Sequence, residues 1–253
     1  MSARDQAEHL AERLLEARAR HQPADLPADC FGQLDEATAM RIQQLTVERL
    51  HAAVAGWKVA VLPDGAVLAA PILDFLLYRN AASVPDRLRG SGGIECEIAF
   101  RIGQSLPART LPYSRAEVDA CIDSAFPAIE TLRSRLPAGF ASPRYALLAD
   151  MLFNAGLIVG GGISAWRDKD FASIPIELVV NDRTIVRRAG GLPSGDPLGA
   201  VVALANHLQR HNQSLLPDQF VTTGSYTGVH MTDPGDRVAV RFEGFPELRI
   251  AFQ

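Results

Sequence analysis

Between Ala3 and Arg20, apolar residues recur at Ala7, Leu10, Leu14, Leu15 and Ala17, a stripe at helical spacing. A loop with Pro23, Pro27 and Gly32 follows. Asp35-Glu36-Ala37 then opens a second helical stripe through Ile42, Leu45, Val47, Leu50 and Val54, stopping at Gly56. From Trp57 the period shortens to two. The runs WKVAV, GAVLAAPI, IECEIAFRI, AFPAIETL, IELVV, RTIVRR, RVAVRF and LRIAF are set off by Gly, Pro, Asn or Asp and predict short strands. Helical inserts are expected over about 114–124, 144–153 and 197–211, and no repeat or low-complexity segment is present. The pattern predicts an α+β protein, with an N-terminal helical element over residues 1–55 packed on a mixed β-rich body over 56–253 and no flexible tether.

One predicted strand raises a question of chemistry. In GIECEIAFRIG (Gly93–Gly103), alternation puts Ile94, Cys96, Ile98 and Phe100 on one face and Glu95, Glu97, Ala99 and Arg101 on the other. Two acids thus share a side. A solvated polar face accounts for them, and so does a cation held between two repelling carboxylates. Glu130, in FPAIETLRSR, is a third acid that a neighbouring strand could bring alongside; by itself it reads equally as a solvated strand acid. Oxygen-only ligands suit Mg²⁺ or Mn²⁺. Lys58 stands in the apolar run GWKVAV, either as a surface lysine, as a cation near an anionic substrate, or as a proton donor with a lowered pKa.

Other motifs are weaker. His207 and His211 in HLQRH have i,i+4 spacing but no accompanying carboxylate motif, and read as exposed histidines near a helix end rather than as a zinc pair. Gly160-Gly161-Gly162 lacks dinucleotide-site spacing and reads as a bend. Neither a GxSxG nor a GxxxxGK[ST] pattern occurs.

Composition narrows the partners. With 253 residues, 47% hydrophobic and 21% charged, the chain can bury a large core. A net charge of −4 argues against a general nucleic-acid or anionic-membrane binder and favours small-molecule chemistry. The charged N-terminal stretch lacks a signal-peptide core and no apolar run is long enough to span a bilayer, so a cytoplasmic protein is expected. Cys30, Cys96 and Cys121 have no metal or redox spacing and read as buried free thiols.

Together these segments resemble the 2-keto-4-pentenoate hydratase branch of the fumarylacetoacetate hydrolase superfamily over nearly the whole chain. AEHLAERLLEARARHQP and DEATAMRIQQLTVERL resemble its N-terminal helices, GWKVAV its GyKiG, IECEIAFRIG its EAEIAFvlG and PAIETLRSR its PALEivDSR. GDPLGAVVALANHL, VTTGSYTG and DPGDRVAVRF resemble its later segments. The resemblance implies a mixed β-sandwich roll with peripheral helices. It further implies an Mg²⁺ or Mn²⁺ ion on Glu95, Glu97 and Glu130, a catalytic Lys58, and substrate contacts from Arg135, Asn154 and Thr223. The implied reaction is hydration of a 2-hydroxy-2,4-dienoate or its 2-oxo-4-enoate tautomer to a 4-hydroxy-2-oxo acid, with Lys58 as proton donor or carboxylate anchor. A homo-oligomer is implied, with a partner enzyme of the same pathway as a further association.

The chain also departs from the family's pattern. Where an acid is expected after Pro71, Ile72 stands, and Asp74 follows two positions later. The family's DSR reads Arg133-Ser134-Arg135, its DN reads Phe153-Asn154, and its GHP reads Gly195-Asp196-Pro197. Decarboxylation of a 2-oxo-3-enedioate is the alternative reaction, with Arg133 or Arg135 available to a second carboxylate. Acylpyruvate hydrolysis is disfavoured because no histidine occurs between His51 and His207. A non-catalytic 2-oxo-acid binding or partner subunit is the alternative of a different class.

Overall fold

The structure is a computed structural model and describes residues 2–80, 82–85 and 92–252. Two helices open the chain, α1 (Ala3–Arg20) and α2 (Glu36–Leu50). Ser2 begins α1 with a reciprocal capping box to Asp5, and the Asp35 carboxylate accepts from the Thr38 N–H at the start of α2. The second helix ends at Leu50, earlier than its apolar stripe suggests, because His51 turns left-handed and Val54 already belongs to a strand. Gln43 fixes α2 in place, since its buried side-chain amide donates to the carbonyls of Ala69 (3.2 Å) and Leu148 (2.6 Å).

Twelve strands follow: β1 (Val54–Val61), β2 (Val67–Leu73), β3 (Leu77–Arg79), β4 (Ser83–Val84), β5 (Ile94–Ile102), β6 (Ile122–Leu132), β7 (Asn154–Val159), β8 (Pro175–Val180), β9 (Arg183–Ala189), β10 (Phe220–Ser225), β11 (Arg237–Phe242) and β12 (Leu248–Phe252). Helices α3 (Arg115–Cys121), α4 (Arg144–Ala149) and α5 (Pro197–Arg210) are interleaved. Seven strands make one mixed sheet, ordered β2-β1-β10-β5-β6-β7-β3. The other five form β4-β12-β11-β8-β9. This mixed helix-and-strand architecture agrees with the α+β expectation.

The large sheet must curl. Its edge strands β2 and β3 are joined by only the short 3₁₀ turn Asp74–Leu76, so the two edges are drawn together. On the outer face, Trp57, Val59, Cys96, Ile98, Phe100 and Ile129 join the main core, which also takes in the buried sides of α1, α2 and α5 and of the second sheet. The inner face encloses a separate apolar cluster of Ile72, Ala99, Ala128, Leu157, Val159 and Phe220.

Some elements differ from the periodicity. The insert expected over 114–124 is helical only to Cys121, where β6 begins. The insert expected over 144–153 stops at Ala149, and Met151, Leu152 and Phe153 are all left-handed, with φ of 53°, 50° and 66°. Strands β7 and β10 lie in stretches whose alternation is masked by burial on both faces or by Gly and Thr. All three cysteines are free, as expected, but only Cys96 is buried as well, Cys30 and Cys121 being half-buried. No helix among the described residues is long and apolar enough to cross a membrane.

Candidate metal centre and cavity

The acid-x-acid strand is β5, and its polar face looks into the curled sheet. Glu95 lies directly opposite Glu130 of β6, and Glu97 lies opposite Ala128, whose small side chain leaves room beside it. Lys58 of β1 comes from two strands away, across Thr222 of β10. Glu95, Glu97 and Glu130 each bring a carboxylate oxygen within 4.8 Å of the others. Glu97 and Glu130 are fully buried. Lys58 Nζ lies 2.9 Å from Glu130 Oε2 and 3.4 Å from Glu95 Oε2.

Local backbone chemistry holds the carboxylates. The β5–β10 ladder slips between Thr222 and Ser225, and Gly224 takes a φ of 110° that favours glycine. Its freed N–H donates to Glu97 Oε2 at 2.9 Å. Asn154, at the start of β7, donates its side-chain amide to Glu130 Oε1 at 2.7 Å. Two buried oxygens are left over. Glu97 Oε1 has no hydrogen-bond partner, and Glu130 Oε2 meets Lys58 only as an ion pair without hydrogen-bond geometry.

With all three carboxylates ionised, one ammonium leaves the group two negative charges in excess. Burial, then Glu130 and Glu95, push the Glu97 carboxyl up to about 8. Burial also raises Glu130, with Lys58 opposing. For Lys58, burial works against the charge, but the attraction of Glu130, Glu95 and Glu97 wins and holds the ammonium above its usual pKa, the opposite of the lowered pKa considered for a proton donor. An excess of two charges, all-oxygen donors and orphaned buried oxygens together fit a hard divalent cation.

The group opens onto a cavity of about 680 Å³. Leu132, Leu152, Phe153 and Leu192 form much of its wall, with Thr223, Gly224 and Ser225 beside the acids. Thr223 lines this space, although its hydroxyl donates to the Ile98 carbonyl at 3.0 Å. Arg135 does not line it. Its guanidinium is buried in an ion pair with Asp150 and donates to the carbonyls of Asp150 (3.1 Å) and Asn154 (2.9 Å), which seats Asn154 beneath Glu130. Arg133 turns to the His21 ring. Asp74 is exposed at the turn between β2 and β3, off the lining, and Ile72 is in the inner apolar cluster.

Sequence reasoning passed over Arg188 of β9, which lines the cavity from the second sheet. Its guanidinium donates to the Tyr226 carbonyl, from Nε at 3.1 Å. Gly191, at φ 123°, leaves room for it, since a Cβ there would come within 2.8 Å of its guanidinium nitrogens. Among the described residues of the lining, the charged ones are Lys58, Glu95, Glu97 and Arg188, and none is a histidine.

No family model matches the chain. It is 27% identical over 136 residues to a 4-oxalocrotonate decarboxylase of Pseudomonas putida, covering 54% of this chain and 51% of that one. It is 25% identical over 159 residues to 2-keto-4-pentenoate hydratase 1 of Dechloromonas aromatica strain RCB, covering 63% and 59%. The chain thus spans half to three-fifths of these relatives' length in the matched regions. Its fold is that of 4-oxalocrotonate decarboxylase from Pseudomonas putida G7, solved with magnesium and adipate: the TM-score is 0.86 at 21% identity, covering all of this chain and 99% of the other. These relatives and the shared fold support the resemblance to the 2-keto-4-pentenoate hydratases and 4-oxalocrotonate decarboxylases.

Proposed function

We propose that the chain is a divalent-metal-dependent lyase of 2-oxo-enoates, with Glu95, Glu97 and Glu130 as the Mg²⁺ or Mn²⁺ ligands, and that it decarboxylates a 2-oxo-3-enedioate. When bound, such an ion would polarise the substrate's 2-oxygen and stabilise the negative charge that develops there. Lys58, held as an ammonium by its carboxylate neighbours, anchors the substrate's first carboxylate as a point charge. The apolar wall excludes water and strengthens that attraction. Arg188 is the cation available to a second carboxylate, a role for which Arg135 and Arg133 are otherwise engaged.

The observation that carries this reading is the charge inventory of the cavity. Once the three glutamates serve the ion, no described acid or histidine on the lining is left to activate water, and a cation remains for a remote carboxylate. Hydration of a 2-hydroxydienoate is the second reading. It is supported by the hydratase relatives and would use the same glutamates and Lys58.

The test is to supply purified protein and Mg²⁺ with 2-oxohex-3-enedioate and, separately, with 2-hydroxypenta-2,4-dienoate. CO₂ release from the first substrate without consumption of the second is expected. Consumption of the dienoate alone would replace decarboxylation by hydration, and inertness toward both would favour a binding role. Arg188→Met should raise KM for the dicarboxylate by about tenfold and leave kcat nearly unchanged. A guanidinium that grips a carboxylate before it departs contributes to ground-state binding more than to the transition state.

A further inference from the structure

A second cluster of metal-ligating side chains lies away from the cavity. Glu36, the first residue of α2, and His207 and His211, at the end of α5, each offer a ligand atom, and these atoms lie within 4.8 Å of one another. The i,i+4 spacing stacks the two imidazoles on one side of the helix end, with ring centroids 4.7 Å apart. The expectation of two exposed histidines holds for His211 but not for His207, which is 2% exposed. His207 continues the buried stripe of Ala200 and Leu204, so the helix period carries it inward.

Burial leaves His207 with an unmet need, because its Nε2 has no hydrogen-bond partner. A buried imidazole nitrogen without a partner is costly, and a metal ion is one of the few things that would use it. Glu36 supplies the anionic ligand, while the adjacent Asp35 carboxylate is occupied in capping α2 through the Thr38 N–H at 2.8 Å.

We propose that Glu36, His207 and His211 form a second metal site, which takes a transition-metal dication such as Zn²⁺ and ties α2 to α5. Two imidazoles and one carboxylate suit Zn²⁺ or Co²⁺, whereas the oxygen-only site in the cavity suits Mg²⁺ or Mn²⁺. Ligand atoms around zinc stand about 3.3 Å apart, given bonds of about 2.0–2.1 Å, so the cluster need close by no more than about 1.5 Å on binding. The exposed His211 and half-buried Glu36 have the freedom to make that movement. On its open side lies a hollow of about 620 Å³, lined by Asp35, Met40, Tyr145 and Gln213 among others, which leaves a coordination position to water. The role is structural: the ion fastens the N-terminal helices to the body, and none of its ligands lines the catalytic cavity.

Co²⁺ is the probe, because its visible absorption reports nitrogen and oxygen coordination. Protein saturated with Mg²⁺ should take up one further equivalent of Co²⁺ with a visible band and a raised melting temperature. The same uptake should persist in Glu97→Gln, which disables the cavity site. His211→Ala and Glu36→Gln should each bind at least tenfold more weakly and lose the rise in melting temperature, with Mg²⁺-supported activity unchanged. The proposal is overturned if Co²⁺ uptake in Mg²⁺-saturated wild type is absent, or if both variants bind Co²⁺ as wild type does.

Discussion

Glu97 and Ala99 stand two residues apart on β5, on the same face and equally buried, and Glu130 and Ala128 repeat the contrast on β6. A step of about 6–7 Å along one wall therefore separates a charged floor from a dry apolar plug. Below the step, Ala99 and Ala128 pack with Ile72, Leu157, Val159 and Phe220, and Phe126 meets Phe220 edge-on at 5.1 Å. Above it, two buried carboxylates keep orphaned oxygens and a single lysine as counter-charge. The lower region serves folding. The upper one does not, because buried like charges cost stability unless something compensates them, and Lys58 offsets one of the three carboxylates while the proposed divalent ion would offset the other two.

The contrast breaks most severely if a charge is moved down the step. Ala99→Asp places an unpaired carboxylate in the plug and should destabilise the fold by about 3 kcal/mol or more, measured by urea unfolding with Mg²⁺ present. Lys58→Met removes the cation that meets Glu95 and Glu130. Metal affinity should hold or rise slightly, because an ammonium is no ligand, while single-turnover rate falls by roughly 10²-fold. Wild-type turnover by a folded Lys58→Met protein would make Lys58 structural.

A smaller effect appears in pH dependence without metal. The Glu97 carboxyl, pushed up to about 8, contributes stability that is complete below its unfolded pKa near 4.5 and is lost as pH rises through about 8. Relative to Glu97→Gln, metal-free wild type should thus lose stability across that window, and Mg²⁺ affinity should rise with pH over the same range. A pH-independent difference in stability would mean Glu97 is ionised throughout. The smallest effect is expected of Cys96, on the opposite face of β5. Burial pushes its thiol up to about 12, so disulfide reagents should label half-buried Cys30 and Cys121 first and Cys96 only on unfolding.

Strand alternation made the shared face of Glu95 and Glu97 legible, and the burial of Cys96 on the opposite face with it. Glu130 needed the family resemblance, because pairing between β5 and β6 is a long-range fact that spacing alone does not fix. Arg188 was illegible for a related reason. It sits in RTIVRR, an edge strand of the other sheet, where an arginine looks like any solvated charge. Arg135 drew attention by its motif, yet its partner Asp150 lies beyond a turn. The three left-handed residues Met151–Phe153 had no signal at all, since none is glycine and the preceding stretch has helical spacing. His207 is different: the stripe through Ala200 and Leu204 already pointed it inward, and its histidine chemistry obscured its position.

Everything above the step depends on one binding event. Titrating Mg²⁺ or Mn²⁺ calorimetrically into wild type and Glu97→Gln at the same pH tests it most directly. One equivalent is expected to bind wild type through the carboxylates, and affinity in Glu97→Gln should fall by about 10²-fold or more, since replacing an anionic ligand with an amide weakens a hard cation's site. Equal affinity in the two folded proteins would contradict the assignment of Glu95, Glu97 and Glu130 as the metal centre.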